Sequence, residues 1–208
     1  MSLMIPDVQP LEYGNSLVTC DATISHVIKA ILSDIPSAKE ITECISSKCD
    51  KSERNIMYLT YQMGKEGRLD ELQSFLDERI ETDFINCAQI GCDNMKSVKT
   101  IISKMSLFID VLYWEDENDQ CSSEAANISM ARLCDISPII ICDTTTYELR
   151  GVIAFRQGKS KLRHSIGHHT TYAKRDTKHW ELYDDLKTKP VPIKDTTIVP
   201  CEFLLYTI

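Results

Sequence analysis

The run G-H-H-T-T-Y-A-K-R-D-T-K-H-W-E-L-Y-D-D, residues 167 to 185, places a histidine at the head of one β-rich segment and a pair of carboxylates at the foot of the next. A hairpin joining the two segments would bring His168 within hydrogen-bond reach of Asp184. An imidazole oriented by a carboxylate is the general-base half of a nucleophilic triad. The same text also suits histidines at a strand edge and acids that open a turn, so spacing leaves both readings standing. A thiol partner belongs where thiolate is favoured, and Cys20 directly follows Thr19, a residue type that caps helices. At the start of a helix, unpaired amides and the macrodipole stabilise a negative sulfur. None of the other eight cysteines has this context. A small apolar side chain packed in the first turn is the other reading of Cys20.

These residues need elements to position them. Ile24, Val27, Ile28, Ile31 and Leu32 fall at helical spacing until Pro36, which predicts a helix over 20–33. A β-branched and aromatic run over 56–63 reads as a strand, and Leu69, Leu72, Leu76 and Ile80 give a second amphipathic helix with an acidic opposite face. Beyond residue 95 the texture turns to β. Leu107, Ile109, Val111 and Tyr113 alternate with their neighbours, an acidic loop over 115–119 follows, and further strands are expected at 139–142, 147–155, 170–174, 180–183 and 203–207. Helices first and then a largely antiparallel sheet make an α+β pattern in one domain, 1–208.

Composition narrows the function classes. Of 208 residues, 43% are apolar and 26% charged, which is ordinary for a globular chain. Thirty-one acids against 23 Lys and Arg give a formal charge of −8, which argues against a nucleic-acid or anionic-membrane partner and for a basic one. The N-terminal text lacks the basic and apolar regions of a secretory signal, and no apolar run is long enough to span a bilayer. The expectation is an intracellular protein whose nine cysteines are thiols, metal ligands or nucleophiles rather than bridges.

Y-E-L-R-G-V-I-A-F (147 to 155), G-H-H-T-T-Y-A and W-E-L-Y-D-D together resemble the histidine box of the ubiquitin-specific proteases, and the terminal F-L-L-Y-T-I resembles the last strand of that catalytic domain. N-S-L-V-T-C resembles its cysteine box, with Asn15 five residues before Cys20 and Thr19 adjacent to it. The resemblance implies a papain-like α+β fold: a short helical thumb over about 15–40, reduced fingers over about 41–98 and an antiparallel palm sheet over about 99–208. It implies Cys20 as nucleophile, His168 as base, Asp184 as the residue that orients the base, Asp185 in a supporting polar role and Asn15 as donor to the oxyanion. Cys44 and Cys49, like Cys87 and Cys92, are separated by four residues. The resemblance implies that these are the two zinc-binding cysteine pairs of the family's fingers, at the long end of the usual two to four residues between ligands, and four thiolates could hold a structural zinc ion tetrahedrally. No organic cofactor is implied. Cys121, Cys134, Cys142 and Cys201 have no usable spacing, and the last three read as packing.

The implied activity is a thiol isopeptidase that removes ubiquitin or a ubiquitin-like modifier from proteins. Glu78, Glu81, Asp83 or the 115–119 loop are candidates to meet a basic tail of the modifier. The sequence departs from the family at Leu17, Asp21 and His169, and only 23 residues separate Cys20 from Cys44. An acid beside the thiol opposes thiolate formation, which keeps a modifier-binding pseudoenzyme or adaptor as the alternative. D-D-L-K (184 to 187) resembles the SUMO isopeptidase branch and keeps that modifier open.

Overall fold

In a computed structural model of the chain, the residues described are 7–10, 16–19, 24–46, 49–64, 68–113, 129–156, 168–176 and 179–208. In chain order the elements are β1 (Asp7–Pro10), β2 (Ser16–Thr19), α1 (Ile24–Ile31), β3 (Ala38–Cys44), β4 (Ser52–Ile56), β5 (Leu59–Met63), α2 (Leu72–Ile80), β6 (Asp83–Asn86), β7 (Met95–Ile102), β8 (Ser106–Tyr113), β9 (Ser129–Arg132), β10 (Ile139–Cys142), β11 (Thr145–Arg156), β12 (His168–Lys174), β13 (Trp180–Tyr183), β14 (Val191–Ile193), β15 (Ile198–Cys201) and β16 (Phe203–Thr207). The architecture is α+β, mostly sheet with few helices.

The main sheet runs β14-β13-β12-β11-β16-β8-β5, with β10 sharing one edge of the long β11 with β12. Its centre is apolar on both faces, because period-2 alternation in β8 and β16 feeds two clusters. Leu107, Ile109, Val111, Leu204 and Tyr206 join Val152 and Ala154 on one face, where Leu72 and Leu76 of α2 also pack. Phe108 and Phe203 turn to the other face and meet Ile24, Ile28 and Leu32 of α1. Each helix thus covers one face through part of the apolar stripe its spacing predicts; Ile31 of that stripe is exposed, and Leu69 is buried ahead of α2. α1 ends at Ile31, short of Pro36, in a turn where the Ile35 N–H donates to the Leu32 carbonyl at 2.9 Å.

The second sheet, β4-β3-β7-β6, is of a different kind. No side chain of β4 or β6 is buried, and the buried residues of β3 and β7 are Ala38, Cys44 and Ile102. Ala38 and Ile102, paired in register, anchor this sheet to the main core.

Several expectations need correction. The first helix is described from Ile24 to Ile31, with 20–23 outside the described residues. The strand expected over 56–63 is two strands, β4 and β5, broken by a bend at Met57 and Tyr58. Helices do not all precede the sheet, because β3, β4 and β5 lie between α1 and α2. The main sheet is also not wholly antiparallel: β5 runs parallel to β8, which the α2 crossover permits. The 115–119 loop lies outside the described residues.

Candidate active site and metal centre

His168 is the first residue of β12 and pairs with Arg156 of β11, while Asp184 directly follows β13. The hairpin register Thr171↔Tyr183 to Lys174↔Trp180 carries the two side chains to the same end of the sheet. His168 Nε2 lies 2.9 Å from Asp184 Oδ1 and 3.5 Å from Asp185 Oδ1. Asp184 also accepts the Leu186 N–H at 3.0 Å, and Lys187 Nζ sits 3.8 Å from its other oxygen. The His168 hydrogen bond, reinforced by these donors, holds the Asp184 carboxyl below its ordinary range against the opposing effect of desolvation. Only 13% of the Asp184 side chain is exposed, against 82% for Asp185, so the inner carboxylate fixes the ring and the outer one faces solvent. With Nε2 committed to Asp184, Nδ1 is the ring nitrogen left to exchange a proton with another group.

The structure thus brings together His168, Asp184 and Asp185. Cys20 and Asn15 lie outside the described residues, flanking β2, whose backbone pairs with β1. A second imidazole–carboxylate pair sits next door. His169 Nε2 is 3.1 Å from Glu202 Oε2, and its ring centroid is 4.8 Å from that of Phe155. Because neighbours on a strand point to opposite faces, His169 turns with Phe155 and Ile153 to the face that carries α1, whereas His168 turns to the other. Sequence reasoning missed this pair: Glu202 is 33 positions away, and only the β12-β11-β16 order brings it near.

The four middle cysteines converge. Cys44 ends β3, Cys49 lies in the turn to β4, Cys87 follows β6, and Cys92 lies in the turn to β7. Backbone bonds shape the second turn, with the Cys87 N–H donating to the Asn94 carbonyl (2.9 Å) and the Cys92 N–H to that of Gln89 (3.0 Å). Gly91 occupies a left-handed conformation there, φ +80°, which a side chain would strain. The four Sγ atoms lie within 4.8 Å of one another, with Cys44–Cys92 at 3.7 Å and Cys87–Cys49 at 3.8 Å. A tetrahedral zinc with Zn–S of about 2.3 Å requires S···S of roughly 3.8 Å, so the cluster could hold that ion as it stands. Backbone and side-chain N–H groups of Asn94 pull the Cys92 thiol down to about 6. The hydrogen bond with Cys92 and burial push Cys49 up to about 12, and burial raises Cys44.

Of the remaining cysteines, Cys142 and Cys201 are buried packing residues, and burial pushes Cys201 up to about 12. Cys134 is exposed rather than packed, and Cys121 lies outside the described residues. Glu78, Glu81 and Asp83 line one cleft of about 490 Å³ with Glu40 and Glu71.

No family model matches the sequence, and no curated protein matches it. Among solved structures, the chain is similar to the SAGA DUB module bound to monoubiquitin (TM-score 0.47, 13% identity over 83% of this chain and 41% of that one). It is likewise similar to the yeast SAGA DUB module (TM-score 0.47, 14% identity, 89% and 48%) and to the Saccharomyces cerevisiae PAN2 pseudoubiquitin-hydrolase (TM-score 0.45, 13% identity, 88% and 60%). The chain spans less than half the length of the SAGA chains it matches.

Proposed function

We propose that this chain is a thiol isopeptidase acting on ubiquitin or a ubiquitin-like modifier, built as a compact papain-like domain with a short thumb, reduced fingers and a palm. The observation that carries the reading is the 2.9 Å contact of His168 with Asp184 at the end of a hairpin, at the positions the histidine box assigns. Cys20 gives its proton to His168 Nδ1, and the thiolate attacks the carbonyl carbon of the modifier's terminal glycine. Asp184 accepts the Nε2–H and stabilises the imidazolium while Asn15 donates to the oxyanion. The imidazolium then protonates the departing lysine amine, and water, activated by the same imidazole, releases the modifier from the thioester and restores the thiol. Asp185 flanks the pair from the solvent side. Cys44, Cys49, Cys87 and Cys92 hold a structural zinc that ties the four-stranded sheet together and takes no part in this chemistry.

Hydrolysis of a fluorogenic ubiquitin or SUMO substrate tests the reading. Turnover by the wild type that disappears in Cys20→Ala and His168→Gln supports it. Loss in His169→Gln with retention in His168→Gln would move the base to the neighbouring pair. The second reading, a modifier-binding pseudoenzyme, is favoured by Asp21 beside the thiol. It predicts modifier binding by calorimetry in wild type and Cys20→Ala alike, with no turnover in either.

A further inference from the structure

The His168, Asp184 and Asp185 cluster has a property that the proton relay does not use. Its three ligand atoms, an imidazole nitrogen and two carboxylate oxygens, lie within 4.8 Å of one another. For a divalent ion with metal–nitrogen and metal–oxygen bonds near 2.0 to 2.2 Å, the N···O separation is roughly 2.9 Å at a right angle and roughly 3.4 Å at a tetrahedral one. The observed separations from Nε2 are 2.9 Å to Asp184 and 3.5 Å to Asp185. The second carboxylate matters here, because orienting the ring needs one acceptor and Asp184 already supplies it. Imidazole with carboxylates suits transition-metal dications better than the hard all-oxygen sites that magnesium and calcium prefer. Asp185 is 82% exposed and His168 31%, so an ion reaches the cluster from solvent. Lys187, 3.8 Å from the outer Asp184 oxygen, is the cation such an ion has to compete with.

We infer that His168, Asp184 and Asp185 form a reversible binding site for a divalent transition-metal ion such as Zn2+, and that the bound ion switches the His168 base off. Nε2 must give up its proton to ligate. In the neutral ring that proton moves to Nδ1, the nitrogen that must accept the proton of the thiol. The ion therefore takes the Asp184 hydrogen bond and occupies the acceptor in one step, with no net proton released and no redox change. The inhibitory half of the inference rests on the isopeptidase reading, whereas the metal site itself does not.

The test uses the full chain with its four-cysteine cluster filled by one equivalent of Zn2+. Calorimetric titration with further Zn2+ is expected to show a second equivalent. Asp185→Asn, at a solvent-exposed position, and His168→Gln should each weaken that second equivalent by about 10-fold or more. Imidazole 1H–15N spectra should show His168 passing from the Nε2–H to the Nδ1–H form as zinc is added. A single equivalent only, or a second equivalent that neither variant weakens, overturns the site. If zinc binds at His168 but a ubiquitin activity probe labels Cys20 equally fast with and without the second equivalent, the inhibitory role is overturned. A second equivalent with the tautomer change, in a chain that never labels even without added zinc, supports the site and refutes the isopeptidase reading instead.

Discussion

Removing the metal from the four-cysteine cluster should unfold one end of the molecule and leave the rest standing. The turn from Cys87 to Asn94 is eight residues long, and Cys87 is its one buried side chain. Fixing that backbone costs roughly 8 to 16 kcal/mol of conformational entropy at about 1 to 2 kcal/mol per residue. Burial of one small side chain offsets less than about 3 kcal/mol. Ligation of a structural zinc, worth about 10 to 16 kcal/mol, is the term of the required size. β4 and β6 bury no side chain, so they too depend on the turns that tie them to β3 and β7. Hydrogen exchange read by mass spectrometry, before and after a strong chelator, checks this. Amides of Cys87, Cys92 and strands β4 and β6 should lose protection by about 10³-fold or more, corresponding to about 4 kcal/mol, while β11 and β16 keep theirs. Cys49→Ser should reproduce the effect without chelator. Unchanged protection at Cys87 and Cys92 after verified metal removal would show that the turn stands without the ion.

Three further outcomes follow from particular contacts. The depressed Asp184 carboxyl contributes stability above its ordinary value of 3.8 that is lost as the pH falls through its lower folded value. Acid melts of Asp184→Asn should therefore fall less steeply in that window than those of wild type, and identical slopes would contradict the coupling. Tyr206, fully buried, donates its hydroxyl to the Ser137 carbonyl at 2.7 Å, so Tyr206→Phe should cost about 1 to 3 kcal/mol in urea unfolding; a loss below about 0.5 kcal/mol would show the bond to be dispensable. Gln73 bonds both backbone groups of Ile141, its Nε2 donating to the carbonyl (2.8 Å) and its Oε1 accepting the N–H (2.7 Å). Freeing this β10 edge, where Ile139 and Ile141 are half exposed, should make Gln73→Ala associate in light scattering. Scattering no different from wild type would sink that expectation.

What could be read in the sequence tracks what is buried. β8, with alternating residues feeding two apolar faces, and α2, with Leu72 and Leu76 one turn apart, announce themselves by period. The polar β4 and β6 carry no such pattern, because neither strand buries a side chain against an apolar face. β14 and β15 were hidden by Pro192 and Pro200, residues that strands tolerate at their edges. The parallel β5–β8 pairing is a property of topology and has no local signature. At the site, the hairpin text was sufficient to bring His168 to Asp184, since the two are neighbours through one short register. The His169–Glu202 pair was not legible, since it exists only through the order in which three strands assemble.

In the proposed isopeptidase, Cys20 is a nucleophile activated by His168, whose ring Asp184 orients. Ubiquitin carrying a C-terminal propargylamide, incubated with the full chain and mapped by peptide mass spectrometry, tests it directly. A covalent adduct on Cys20 should form in wild type, fail in Cys20→Ala and slow strongly in Asp184→Asn. No adduct with any ubiquitin-like probe, or an adduct on another cysteine at the wild-type rate in Cys20→Ala, would contradict it.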